Sequence, residues 1–498
     1  MLEWLYLATA LGLAVYGFNA LWLAWLRWRH RDEPARPPQP AQWPRVTVQL
    51  PLFNEVHVVQ RLLQAVARLD YPRDRLQVLV LDDSTDETTT LAARHVAELR
   101  RQGLDVRLLH RRQREGFKAG ALRDALTHTT GEIVVVFDAD FVPPRDYLRK
   151  VVPLFVADPG LGCVQTRWAH LNRDYSLLTR TQALALDGHF AVEQAARNRA
   201  GLFMSFNGTA GAWRKACIED SGGWQADTLC EDLDLSYRAQ LRGWRFAFLP
   251  EVAAPAELPA QMAAFKRQQF RWAKGSVQTL LKLGGAVLRA RAPWPVRLEG
   301  LVHLSGYLVH PLMLALLLLS LPLFLWRGRL PLPFALLSLA SAGPPLLYAL
   351  GQWTLYPAPR VWWRRYRVLP ALMALGVGVA WSNTVAVLEA ILGRPTPFRR
   401  TPKFNLAGKV GDWAGSRYAL RADWTSLVET LLGCYALAVV WAALHTGNWP
   451  AIPFFVLYAC GFFYVSLHDL LARGRRRPRR QPRVAPRLTS PQSLSARD

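Results

Sequence analysis

The sequence predicts an α/β domain set between membrane-spanning helices. Short runs of β-formers alternate with helical stretches between Arg27 and Trp294. Long apolar segments flank that block on both sides, and acidic groups recur where the β-former runs end. Such alternation implies a parallel, Rossmann-like sheet with helices on its faces.

Val46–Leu50, Leu76–Leu81 and Ile133–Phe137 read as buried strands, and Val56–Leu69, Glu87–Arg101 and Gly120–Leu126 as the helices between them. In such sheets ligands bind beyond the carboxyl ends of the strands. Those ends carry Asn54-Glu55, Asp82-Asp83 and Asp138-Ala139-Asp140, so three chemically loaded turns fall on one edge. No GxGxxG follows the first strand, which argues against a dinucleotide oxidoreductase.

The flanking segments are read by length and charge. Leu5–Leu26 holds no charged residue and is long enough to span a bilayer. Glu3 precedes it and Arg27, Arg29 and Arg31 follow, which puts the N-terminus outside and the next domain in the cytoplasm. Leu301–Trp326, Leu332–Trp353, Trp424–Leu444 and Ala451–Leu467 also qualify as spans. Leu369–Leu392 breaks the parity: a basic loop follows it, and its second half carries Ser382, Asn383, Thr384 and Glu389. It is expected to re-enter or lie along the interface, with an ordinary sixth span as the alternative. The expected organisation is an anchor over 1–30, a cytosolic domain over 31–296 ending in interfacial helices, a helical region over 297–472 with a cytosolic loop at 394–423, and a disordered basic tail over 473–498.

Of the 498 residues 51% are hydrophobic, yet mean hydropathy is only +0.05, as a soluble domain joined to membrane spans requires. The net charge of +24 is one a nucleic-acid binder can carry. Arg gathers beside apolar segments instead, as the positive-inside rule expects, so no nucleic-acid partner is expected and a lipid bilayer is. Cys163, Cys217, Cys230, Cys434 and Cys460 show no paired spacing, which speaks against a disulfide framework or a zinc site.

The candidate site builds on these stations. Asp138 and Asp140 offer hard carboxylate oxygens that suit Mg²⁺ or Mn²⁺ gripping a phosphate; a helix cap or solvated turn is the ordinary alternative. Asp82, Asp83 and Glu55 end neighbouring strands. A carboxylate at Asp82-Asp83 can accept from a nucleobase or ribose, or can cap the next helix, a task Ser84, Thr85 or Asp86 serves equally well. Lys118 opens a helix, and a helix N-terminus with a Lys suits diphosphate. Glu231, Asp232 and Asp234 begin another helix; besides complementing its dipole, they supply a general base for an acceptor hydroxyl. Gln268, Arg271 and Trp272 share one helix face, polar groups for diphosphate beside a flat apolar ring for a sugar. An amphipathic helix with Trp at the headgroups is the bland reading of that face.

Taken together, Asp83, Asp138-x-Asp140, Glu231-Asp232 and Gln268-x-x-Arg271-Trp272 resemble the pattern of the membrane-embedded family 2 glycosyltransferases, which include cellulose, hyaluronan and chitin synthases. Phe206–Arg214 and Val164–Trp168 look most like the plant mannan and glucan synthase branch. The resemblance implies a GT-A fold, a nucleotide-diphosphate sugar such as UDP-glucose or GDP-mannose, Mg²⁺ or Mn²⁺, and inversion to a β-linked polysaccharide. It implies Asp83 on the base, Asp140 on the metal, Asp232 as catalytic base, Gln268 and Arg271 on diphosphate, and Trp272 on the acceptor. Phe398–Lys403 looks like a gating loop. Cys230 departs from the usual Thr before Glu-Asp. A bacterial inner-membrane protein with a cytoplasmic catalytic domain is expected, with a growing glycan as acceptor. Transfer to a membrane lipid is the alternative, and whether an accessory subunit takes part stays open.

Overall fold

The computed structural model describes residues 1–31, 37–327, 338–421 and 424–474. A seven-stranded sheet carries the domain: β1 Val46–Leu52, β2 Leu76–Asp82, β3 Asp105–His110, β4 Ile133–Val136, β5 Leu161–His170, β6 Gly211–Arg214 and β7 Arg245–Ala256. Their spatial order is β3-β2-β1-β4-β6-β5-β7. The first four are parallel: β1, β2 and β4 are the expected strands, β3 adds a fourth that was not expected, and β5 pairs with β7 in parallel. The sheet as a whole is mixed, because β6 runs antiparallel to both β4 and β5. β6 is only four residues long, too short to show a period in sequence.

Parallel strands covered on both faces read as near-continuous apolar runs. β2 is such a run: Val78 and Val80 join the core on one face, Leu79 and Leu81 the core on the other. Where β1 and β2 turn polar groups inward, they are paired: Thr47 donates to Gln77 at 2.8 Å, and Gln49 to Thr129 at 3.0 Å. The strand order reverses between β1 and β4, the point at which such sheets open a crevice beyond their carboxyl ends. The register sets Leu52 beside Asp82 and Gln49 beside Val136, so Glu55, Asp83 and Asp138 emerge together at that crevice.

Four helices among the described residues are long and apolar enough to cross a membrane: Leu2–Arg29, Gly306–Trp326, Thr425–Thr446 and Trp449–Leu471. They match four of the expected spans. The expected span Leu332–Trp353 lies partly outside the described residues; its described part ends in a helix of 13 residues, Gly343–Leu355. Leu369–Leu392 is two helices, Leu369–Gly378 and Ala380–Ile391, within a stretch bent by 43°. Its polar residues face protein: the buried Asn383 meets His310 at 2.9 Å, and Glu389 accepts from Lys274 at 2.8 Å. The expected basic tail lies outside the described residues apart from its first two positions.

Between sheet and spans runs the 28-residue helix Met262–Arg289. Its burial of Lys274, with Glu389, Thr396 and the Arg394 carbonyl as partners, ties it to the root of the following basic loop. A buried ammonium is tolerated only when paired and hydrogen-bonded in this way. Asp187, on the helix Leu177–Gly188, accepts from His170, Gln352 and Arg365 and joins the sheet to the helical region by the same logic.

Candidate active site

One cleft opens beyond the carboxyl ends of β1, β2 and β4. It is lined by Glu55, Asp83, Lys118, Asp138, Asp140, Glu231, Asp232, Gln268, Arg271 and Trp272. Of the eleven candidate residues only Asp82 stays out. Its side chain points back into the domain, where it accepts from Thr89 at 2.6 Å and from the Ser84 backbone N–H at 3.1 Å, and meets His110 at 2.8 Å. Alternation along a strand explains the split, since adjacent residues face opposite sides.

At the sheet edge each carboxylate has a cation. Arg111 grips Asp83 through two bonds of 2.8 and 2.7 Å. Lys118 donates to Asp138 at 2.7 Å and to the Gly208 carbonyl at 2.9 Å, and stands 3.8 Å from Glu231. Lys403 donates to Asp140 at 2.7 Å, while the Glu257 backbone N–H donates to the same oxygen at 3.1 Å. Lys118 does follow the turn that opens the helix Phe117–Ala125, which Gly116 enters in a left-handed conformation.

Across the cleft Asp232 lies in the first turn of the helix Glu231–Leu241. Burial and the adjacent Glu231 push its carboxyl up to about 7, against the pull of Lys118 and Arg271. Two glycines permit the close approach. Gly208 sits at φ 82°, and a Cβ there would lie 2.7 Å from Asp232 Oδ2. Gly275 lets the helix bearing Trp272 pack on Cys230, whose backbone nitrogen a Cβ would meet at 2.7 Å. Cys230 therefore serves as packing, with its Sγ directed at the Arg271 and Trp272 carbonyls.

The basic loop closes over the sheet edge. Phe398 stacks on Phe117 with ring centroids 5.9 Å apart, and the Arg271 guanidinium lies 5.1 Å from the Phe398 ring. Arg400 pairs with Glu55 at 3.2 Å. Burial pushes the Glu55 carboxyl up to about 8, only partly countered by Arg400. Sequence reasoning treated this loop as a gate without assigning its residues, and missed Arg111, Arg114, Glu257 and Asn207. Asn207 lay inside a motif already quoted for its resemblance. The other three carry no local signal: only the fold sets Arg111 on Asp83 and brings Arg114 and Glu257 to the cleft.

The family model for glycosyltransferase-like family 2 matches residues 44–275. The chain carries a family 2 glycosyltransferase domain. It is similar to the probable glucomannan 4-beta-mannosyltransferase 10 of Arabidopsis thaliana, 42% identical over 251 residues that make up 50% of this chain and 46% of that one. It is also similar to the glucomannan 4-beta-mannosyltransferase 2 of the same plant, 42% identical over 257 residues, 50% of this chain and 47% of that one. The chain thus spans about half the length of the curated relatives it matches. Among solved structures it resembles a mannosyltransferase from Pyrobaculum calidifontis in complex with GDP-Man and Mn²⁺, with 27% identity and a TM-score of 0.55 over 79% of this chain and 100% of that one. The glycosyltransferase domain has a GT-A-like mixed sheet, with apolar helices flanking it in the chain.

Proposed function

We propose that the protein is an inverting hexosyltransferase that extends a β-linked mannan or glucomannan from a nucleotide-diphosphate sugar, with GDP-mannose the first donor to test. The observation that carries this reading is the opposition, within one cleft, of a cation-held acidic edge and the raised carboxyl of Asp232 beside Trp272. The glucomannan mannosyltransferase relatives and the GDP-Man complex of the archaeal neighbour support mannose over other hexoses.

Asp232 takes the proton of the acceptor hydroxyl as that oxygen bonds to the anomeric carbon. The bond from the anomeric carbon to the diphosphate breaks on the opposite face, which inverts the configuration. Lys118, Gln268 and Arg271 receive the charge left on the departing diphosphate. Trp272 offers its ring to the acceptor sugar, and Asp83 with Arg111 frames the base and ribose. Asp138 and Asp140 fit Mg²⁺ or Mn²⁺: both already draw an ammonium, and two carboxylates plus phosphate oxygens suffice for such an ion. No cluster of three or more His, Cys, Asp or Glu able to hold a metal occurs among the described residues, so the remaining ligands would come from diphosphate and water. Bound there, the ion would neutralise the leaving group. Arg residues flanking the apolar segments support a cytoplasmic catalytic domain.

The test incubates the detergent-solubilised protein with Mn²⁺ or Mg²⁺ and either GDP-mannose or UDP-glucose, and follows nucleotide release with product size. A long product cut by β-mannanase is expected. A small lipid-extractable product would replace the polymer reading with glycolipid synthesis, and release with UDP-glucose alone would replace the donor.

A further inference from the structure

The long helical stretch after β5 is interrupted. Leu177–Gly188 and Ala195–Arg199 are α-helical, while His189–Gln194 between them is a π-helix. Such insertions are rare and gather at functional sites. A π turn brings residues five apart over one another, and the two residues five apart here, His189 and Gln194, grip the same side chain. Gln194 Nε2 donates to Asn207 Oδ1 at 2.7 Å, and Asn207 Nδ2 lies 3.1 Å from His189 Nε2. His189 Nδ1 lies 2.8 Å from Glu193, which also faces Arg197 at 3.6 Å. Burial alone would raise the Glu193 carboxyl, but His189 and Arg197 hold it at about 2, so it stays an acceptor. His189 thus gives its Nδ1–H to Glu193 and receives the Asn207 amide on Nε2. From the backbone side, the Asn207 N–H donates to Gln165 at 2.8 Å.

This apparatus fixes one amide. Asn207 lines the cleft one residue from Gly208, whose carbonyl holds Lys118 and whose α-carbon abuts Asp232. With one N–H on His189 and one lone pair on Gln194, Asn207 keeps a second N–H and a second lone pair. A donor and an acceptor on one amide held at the cleft wall suit the hydroxyls of a sugar ring.

We infer that Asn207 is a specificity-determining residue that reads the hydroxyl arrangement of the donor sugar, and that His189 is the positioning residue that sets its amide. The inference rests on the transferase reading above. A site built to hydrogen-bond a hydroxyl discriminates strongly because a mismatch leaves its own polar groups unpaired.

The experiment measures kcat/KM of the full-length protein for GDP-mannose and GDP-glucose, which differ only at C2, and the inhibition constant of GDP. Asn207→Ser and His189→Leu are each expected to change the donor ratio by about tenfold or more, with GDP inhibition held within about twofold. His189→Gln, whose side-chain carbonyl can accept from Asn207, is expected to restore the wild-type ratio. An unchanged ratio in both Asn207→Ser and His189→Leu, or an equal loss with both donors, overturns the inference. Retained GDP inhibition certifies that a variant is folded. Failure of the wild type to use any nucleotide sugar instead sinks the transferase reading itself.

Discussion

Asp83, Asp138 and Asp140 on one wall of the cleft and Asp232 on the other are held in opposite ways. At the sheet edge Asp83, Asp138 and Asp140 each meet a basic side chain within 2.8 Å. On the facing helix Asp232 accepts a backbone N–H from Leu233 at 2.9 Å and is pushed up to about 7 by burial and Glu231. The first arrangement gives each of these carboxylates an internal cation, Arg111, Lys118 or Lys403. The second holds a carboxyl at the pKa where it both gives and takes a proton near neutrality, the requirement for a general base. One acidic composition therefore yields two chemistries, and the neighbours decide which.

Removing the base breaks the contrast most severely. Asp232→Asn is expected to lower kcat by ~10³-fold while leaving nucleotide inhibition intact, because proton transfer is lost without loss of donor contacts. Initial rates at saturating donor, paired with inhibition by the free nucleotide, check this. Activity within tenfold of wild type would sink the base assignment.

Lys118→Met attacks the opposite wall. It strips the cation from Asp138 and Glu231 and from the departing diphosphate, so a fall of about 10²-fold in kcat/KM for the donor is expected. The same variant sharpens the comparison through pH. In the wild type, kcat/KM should rise about tenfold per pH unit below 7 and level off above it, since the deprotonated Asp232 is the active form. Lys118 pulls the Asp232 carboxyl down, so Lys118→Met should move that inflection to higher pH. An inflection that does not move would show that the titrating group lies elsewhere.

Glu55 makes the smallest difference. Its carboxyl, pushed up to about 8, is mostly protonated at neutral pH. Glu55→Gln should therefore leave turnover at pH 7 within about threefold, with a divergence from wild type appearing only above pH 8. A large loss at pH 7 would mean that the ionised form matters and that Arg400 holds it so.

The sequence by itself determined most of this architecture. The alternation of Val-rich runs with helical stretches placed β1, β2 and β4, and the uncharged apolar runs placed four long helices, because both signals are local and periodic. Ten of the eleven residues it singles out share the cleft, since strand ends and helix starts carry their own signatures. What the tertiary structure alone decided is non-local. Whether Asp82 or Asp83 faces the cleft depends on the phase of one strand in the sheet. The antiparallel β6, the partners Arg111 and Lys403, and the π turn that clasps Asn207 arise from residues far apart in the chain. Above all, the split between cation-held carboxylates and a near-neutral one is invisible in composition, because charge and desolvation act through space and not along the chain.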